Sequence, residues 1–191
     1  VVVAAASGPI IDAGFPDKGI WPLTFVGVGL VLLSLIGRRA GSALLVGFVG
    51  GVAFYFTHIQ WASLFLGPLP MSALAVLESL FFAAGALAIT LAYRWIPRAF
   101  PTTLGRVGLL PVAVAGLWTA REAWAAVWPY GGFSWGRIGM SHSDSPFAPL
   151  YAWLGISGVS FVIVLIAALV VQVTREVGVD PLVRASLPVA L

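Results

Sequence analysis

Five apolar stretches follow one another along the chain, each close to the roughly 20 residues a bilayer crossing needs. They run over about Gly19–Gly37, Ala43–Leu66, Met71–Tyr93, Val107–Trp128 and Leu150–Val173. The opening VVVAAASG lacks a basic leading segment, so it reads as the tail of a helix ending near Ala6, not as a signal peptide. A further apolar run, Ala185 to Leu191, suggests another helix beginning near Arg184. The pattern predicts an all-α fold: a polytopic transmembrane helix bundle with about five complete spans and partial helices at both ends. With Val1 in place of a starting methionine, the chain is expected to be a fragment.

The breaks between stretches are of two kinds. Arg38 and Arg39 follow the first span, Arg94, Arg98 and Arg106 the third, and Arg175 and Arg184 the fifth; these are seven of the ten basic residues, all on alternate loops. The positive-inside rule makes those loops cytoplasmic. The loops Ile11–Lys18, Trp61–Pro70 and Pro129–Phe147 then face the outside. Trp21, Trp61, Trp128, Tyr130 and Trp153 fall at the outer ends of spans, where interfacial aromatics belong. Gly27, Gly29, Gly47, Gly50 and Gly51 interrupt the spans and permit close helix approach in lipid, which predicts a compact bundle.

Composition agrees with a bilayer protein. Only 9% of residues are charged and mean hydropathy is +1.03, whereas a soluble domain carries roughly 25% charged residues. The chain has no cysteine, which excludes disulfides and thiol catalysis within it, and its two histidines are too few for a His-rich metal site. No cofactor is expected. The net charge of +3 is accounted for by loop arginines and does not imply nucleic-acid binding.

Four ionisable residues fall inside spans: His58, Glu78, Arg121 and Glu122. Glu78 lies about 10 Å below Met71, and Glu122 about 9 Å below Trp128, at 1.5 Å per residue. All four are expected in one polar layer near the outer face, with Glu78 paired to Arg121 across helices and Glu122 turned toward a polar cavity under the Pro129–Phe147 loop. A buried charge costs roughly 2.5–3.5 kcal/mol on insertion scales, so it normally pairs or lines a wet cavity. The same pair can serve only to lock the bundle. For His58 a satisfied interfacial hydrogen bond is expected, not a proton-carrying role.

The loop itself reads GGFSWGRIGMSHSDSP from Gly131 to Pro146. Ser141, His142, Ser143, Asp144 and Ser145 tempt a Ser-His-Asp reading, but triad partners normally come from distant positions, so none is expected here. Walker, Rossmann and HExxH patterns are absent from the sequence.

Several segments taken together resemble the membrane domain of apolipoprotein N-acyltransferases. They are Phe15-Pro16 with Ile20-Trp21-Pro22-Leu23; Trp61 after the Gly50-Gly51 helix; Leu117-Trp118 followed by Glu122; Phe133-x-Trp135; Gly139-x-Ser141-x-x-Asp144-Ser145-Pro146; and Gly155, Gly158 and Ser160-Phe161. Two positions depart from the family pattern: Ser134 replaces a usual proline, and Ala125 replaces a frequent arginine for which Arg121 is a possible substitute. Gly136-Arg137 and the serine-rich tail are similar to the actinobacterial branch, in some members of which the domain is associated with, or fused to, a polyprenol-phosphate mannose synthase.

The resemblance implies a bacterial plasma-membrane enzyme that moves an acyl chain from a phospholipid to the N-terminal diacylglyceryl-cysteine of a lipoprotein. It implies a separate nitrilase-like domain carrying a Glu-Lys-Cys set and a thioacyl intermediate. That set is not in this sequence, so the segment alone is expected to be inactive. Its implied share is lateral admission of lipid and anchoring. The substrate-facing residues so implied are Trp61, Trp118, Glu122, Phe133, Trp135, Ser141 and Asp144. Arg137 joins them because a guanidinium matches phosphate geometry. A non-enzymatic scaffold for the mannose synthase, docked through the Arg94–Arg106 loop, is the alternative. A small-solute transporter is a further one, although no internal repeat is evident.

Overall fold

The computed structural model describes residues 1–178, and the helix expected near Arg184 lies outside them. Among the described residues there is no strand. The helices are α1 (Val2–Asp12), α2 (Pro22–Leu35), α3 (Ala40–His58), the single turn α4 (Ser63–Leu66), α5 (Pro68–Ala99), α6 (Leu110–Ala125) and α7 (Tyr151–Gly178). By length and composition α3, α5 and α7 can each cross a membrane, α7 together with the turn that leads into it from Ala148. α1 and α2 are shorter apolar helices, and α6 is extended at its start by a wide π-helical turn over Leu104–Leu109. Pro111 sits in the first turn of α6 and has no N–H to return to the preceding turn, which accounts for the widened register there. The whole is a helical bundle of the kind a bilayer requires, with backbone groups satisfied inside each helix.

α3 packs on α5 and α1; α6 joins α5 to α7, and α2 closes the ring against α1 and α7. Small residues set these distances. A Cβ added at Gly47 would lie 2.4 Å from the Cβ of Ala86, and one at Gly51 would lie 2.9 Å from the Cα of Ser79. Gly47 and Gly51 thus form one face of α3, four residues apart, against the small-residue face of α5.

Two helix ends differ from the sequence expectation. The first helix continues past Ala6 and through Pro9 to Asp12. It does so because Gly8 rests on the backbone of Ala53 and Phe54, where a Cβ would lie 2.4 Å away, and because Asp12 is held by His58 at 3.0 Å. The second span stops at His58 instead of Leu66. A 3-10 turn over Gln60–Ala62, the one-turn α4 and the left-handed Gly67 (φ 81°) carry the chain round to α5. Hydropathy alone does not register that break, since Trp61, Leu64, Phe65 and Leu66 are apolar yet exposed.

The ends of the bundle are chemically distinct. α3 leads from Arg39 to His58, about 28 Å at 1.5 Å per residue, so the arginine turns and the Gly131–Pro146 loop sit at opposite ends. Replacing Gly47 or Gly51 by leucine is expected to destabilise the bundle by at least about 1–3 kcal/mol through overpacking. Thermal unfolding in detergent measures this, with Gly29→Ala as the tolerated control because its nearest neighbour would be 3.8 Å away.

Candidate functional site

One carboxylate organises the loop end. Glu122, on the last turn of α6, is only 3% exposed. Its Oε1 accepts from the indole N–H of Trp118 at 2.8 Å and from the backbone N–H of Ile138 at 3.0 Å. The Trp118 bond spans one helical turn, whereas the Ile138 bond reaches into the Gly131–Pro146 loop. Arg121 contributes Nη2 at 3.7 Å from the same oxygen. Its guanidinium stacks over Phe82 (4.8 Å) and Trp118 (5.1 Å), and its Nη1 donates to the Tyr55 hydroxyl at 3.5 Å. Gly85 makes the room, since a Cβ there would lie 2.9 Å from Arg121 Cγ. The Glu78 carboxyl faces the Tyr55 hydroxyl and the Arg121 charge.

This arrangement corrects the expected polar layer in two respects. Arg121 forms its ion pair with Glu122, the neighbour in sequence, and reaches Glu78 only through Tyr55 and at longer range. Glu122 does not open onto a polar cavity; the loop closes over it. His58 is not in the cluster. It pairs with Asp12, which also takes Lys18 Nζ at 2.7 Å.

The loop is sewn to three helices. Gly139 N–H donates to Ser160 Oγ at 2.8 Å, Arg137 donates to Ser157 Oγ, and the Tyr151 hydroxyl donates to the Gly139 carbonyl; all three partners belong to α7. Gly139 lies so close that a Cβ would stand 2.5 Å from the Ile156 carbonyl oxygen. Thr24 of α2 donates to Ser141 Oγ at 2.9 Å. Ser141 in turn donates to the Ile138 carbonyl at 2.8 Å, and its second lone pair takes the Nδ1–H of His142 at 2.7 Å. That hydroxyl therefore has each of its hydrogen-bonding positions filled.

No triad forms. Ser141 and His142 touch, but both are buried, while Asp144 is exposed and reaches only Ser143 at 3.4 Å. His142 is enclosed by Trp21, Phe25 and Phe147, with centroid distances of 5.2–5.8 Å. Burial pushes its pKa down to about 4.

The second feature of this end is open. A cleft of about 610 Å³ is lined by Asp12, Phe15, Lys18, His58, Trp61 and Trp135, among others. Trp61 and Trp135 meet edge to face at 5.5 Å and form its rim, each about half exposed. Burial raises the Asp12 pKa, but the hydrogen bonds and charges of His58 and Lys18 outweigh it and hold the carboxyl below its ordinary value. An apolar groove of about 580 Å³ runs from Trp21 and Phe147 along α2 and α7.

The residues singled out in the sequence therefore separate. Trp118, Arg121 and Glu122 meet at the buried cluster, with Glu78 beside them; Trp61 and Trp135 meet at the cleft; Arg137 and Ser141 anchor the loop; Phe133 packs partly buried against the core; Asp144 stands apart. Asp12, Tyr55 and Thr24 were not singled out, and Ser160 entered only as part of the Ser160-Phe161 pair. Asp12 had a signal, as an acid ending an apolar run; the others have partners more than 20 residues away, which no local pattern reveals.

Two outcomes follow from this geometry. Glu122→Ala leaves Arg121 without its carboxylate and is expected to cost about 3–5 kcal/mol, with Glu122→Gln less harmful; thermal unfolding and proteolysis of the loop check it. For His142, the folded pKa of about 4 lies below its ordinary 6.5, so the unfolded state binds the extra proton between those values. Stability is therefore full above about pH 6.5 and declines as pH falls toward about 4, and His142→Phe flattens that slope in unfolding measured across the range.

The profile of the family described as the apolipoprotein N-acyltransferase N-terminal domain matches residues 7–169. Similar proteins include the apolipoprotein N-acyltransferases of Azotobacter vinelandii (28% identical; all of this chain, 37% of the relative) and Photobacterium profundum (25%; 90% and 33%). That of Pseudomonas syringae pv. tomato is 29% identical over 91% of this chain and 35% of its own length. The chain thus spans about a third of the curated relatives it matches. With the match extending from the middle of α1 to the middle of α7 and taking in the Glu122 cluster and the whole loop, the chain belongs to the apolipoprotein N-acyltransferase N-terminal domain family.

Proposed function

We propose that this chain is the membrane portion of a bacterial plasma-membrane enzyme that acylates the N-terminus of lipoproteins. It receives the phospholipid acyl donor at the cleft between α1, α3 and the Gly131–Pro146 loop. The observation that carries the reading is the cleft itself, in which Lys18, His58 and Asp12 line a space rimmed by two half-exposed tryptophans. The Lys18 ammonium is shared with Asp12 but half exposed, so it keeps donors for a headgroup phosphate, and the tryptophans offer aromatic faces to the headgroup ammonium. The loop end is taken as extracytoplasmic, because the arginine turns gather at the other end.

The loop's part in this is positional. Its 138–142 turn is fixed to α2, α6 and α7, so Trp135 is presented at the rim by a rigid base. Arg137 supports that base through Ser157 and is a positioning residue here, not a phosphate ligand. A transporter is disfavoured by the bundle interior: beside Arg121 it holds a cavity of only about 10 Å³, at the lower limit for a single water.

In the full-length protein, Trp135→Ala and Lys18→Gln are each expected to slow lipoprotein N-acylation about fivefold, the value of roughly 1 kcal/mol of cation–π or headgroup contact. Mass spectrometry of lipoprotein N-termini in cells lacking the native enzyme is the readout. Unchanged acylation at equal protein level overturns the reading.

A further inference from the structure

The end of the bundle away from Trp135 carries a second cleft, of about 370 Å³. Arg38 and Arg39 reach it from the α2–α3 turn, Arg94 and Arg98 from the end of α5, and Arg175 from α7; Thr90 and Tyr93 also line it. Among the described residues, none of these five guanidinium groups has a carboxylate within 4 Å. Their own bonds are to neutral acceptors: Arg38 Nε to the Ser34 carbonyl (3.1 Å), Arg175 Nη1 to Gln172 Oε1 (3.1 Å), and Arg98 to the Arg94 carbonyl. Nearby Arg106 is treated differently, for Glu176 neutralises it at 3.3 Å. Five like charges facing one cleft repel one another, and an anion placed among them relieves that repulsion.

The surroundings select the anion. Trp95 and Phe100, which follow Arg94 and Arg98 closely in sequence, are more than half exposed. Within two turns toward the middle of the bundle, Leu33, Leu91, Val170 and Val173 also present apolar surface outward. Exposed aromatics beside arginines, with exposed aliphatic side chains below them, mark the boundary between headgroups and acyl chains. A ligand at that level has its charge among the arginines and its tails against the aliphatic shoulder, which a free anion does not need.

We infer that the arginine cleft is a binding site for the phosphate headgroup of an anionic phospholipid in the leaflet on that side of the membrane. Paired guanidinium groups from the α2–α3 turn and α5 hold phosphate oxygens in a fork, and Arg175 brings α7 to the same ligand. The lipid ties together three segments that otherwise repel at this end. The site is remote from the loop-end cleft and independent of the acylation reading.

The test uses the full-length protein in detergent and in nanodiscs, probed with phosphatidylglycerol, phosphatidylethanolamine and inorganic phosphate. Native mass spectrometry is expected to show phosphatidylglycerol retained in preference to phosphatidylethanolamine. Arg94→Gln with Arg98→Gln weakens that retention roughly tenfold or more, as loss of two juxtamembrane cations should. Replacing Arg38, Arg39, Arg94 and Arg98 together by lysine keeps the loop charge that orients the chain but loses the forks, and weakens retention by about threefold to tenfold. Equal retention of the two lipids, or retention unmoved by the lysine variant, overturns the proposal. Displacement of phosphatidylglycerol by excess inorganic phosphate overturns it as well, by making the cleft a free-anion site.

Discussion

The loop end of this bundle depends on placing one carboxylate where lipid would otherwise exclude it. Glu122 is ionisable, nearly inaccessible and at the end of a helix that must pack in an apolar medium. Such a group is retained only where donors converge on it. Here they come from three directions: the indole a turn earlier, the arginine beside it, and a loop amide sixteen residues on. The first two are built into α6. The third exists only when the loop folds down, so Oε1 has all three of these partners only in the closed arrangement, while Oε2 stays buried without a hydrogen bond. The carboxylate thereby makes loop docking a condition of bundle stability.

The apolar runs and arginine turns were readable because both are local properties. Each of the five long runs does hold a helix, and the arginine turns do collect at one end. What could not be read was where a helix stops or whom a charge meets. His58 and Glu78 stand at similar counted depths, yet one faces Asp12 and the other Tyr55, because residues on different sides of their helices meet different neighbours. The Arg121–Glu122 pair was hidden for the opposite reason. Adjacent residues on a helix normally diverge by about 100°. The long arginine side chain doubles back across the Phe82 and Trp118 rings and so overcomes that divergence.

The loop also shows why composition misleads about mobility. A stretch rich in glycine and serine suggests a flexible rim. Yet Ile138, Gly139, Ser141 and His142 are all buried, and the serines and glycines serve as short connectors. Gly139 admits the α7 backbone, and Ser141 bridges Thr24 to Ile138. Small polar residues suit this task because a larger side chain would hold the loop off the helices.

The buried cluster and the open cleft meet at Gly136. Tyr55, which belongs to the first, and His58, which belongs to the second, lie one turn apart on α3. Gly136 (φ 93°) rests on both: a Cβ there would stand 3.1 Å from a Tyr55 ring carbon, 3.1 Å from Phe54 and 3.5 Å from His58. The left-handed backbone and the close approach both demand glycine. Trp135, immediately before it, is thereby aimed at Trp61 while Ile138, two residues after, is aimed at Glu122. A single turn of chain sets the rim of the cleft from the same contact that seals the cluster. The position of the exposed tryptophan is therefore fixed by charges buried beneath it, and the two features cannot be adjusted independently.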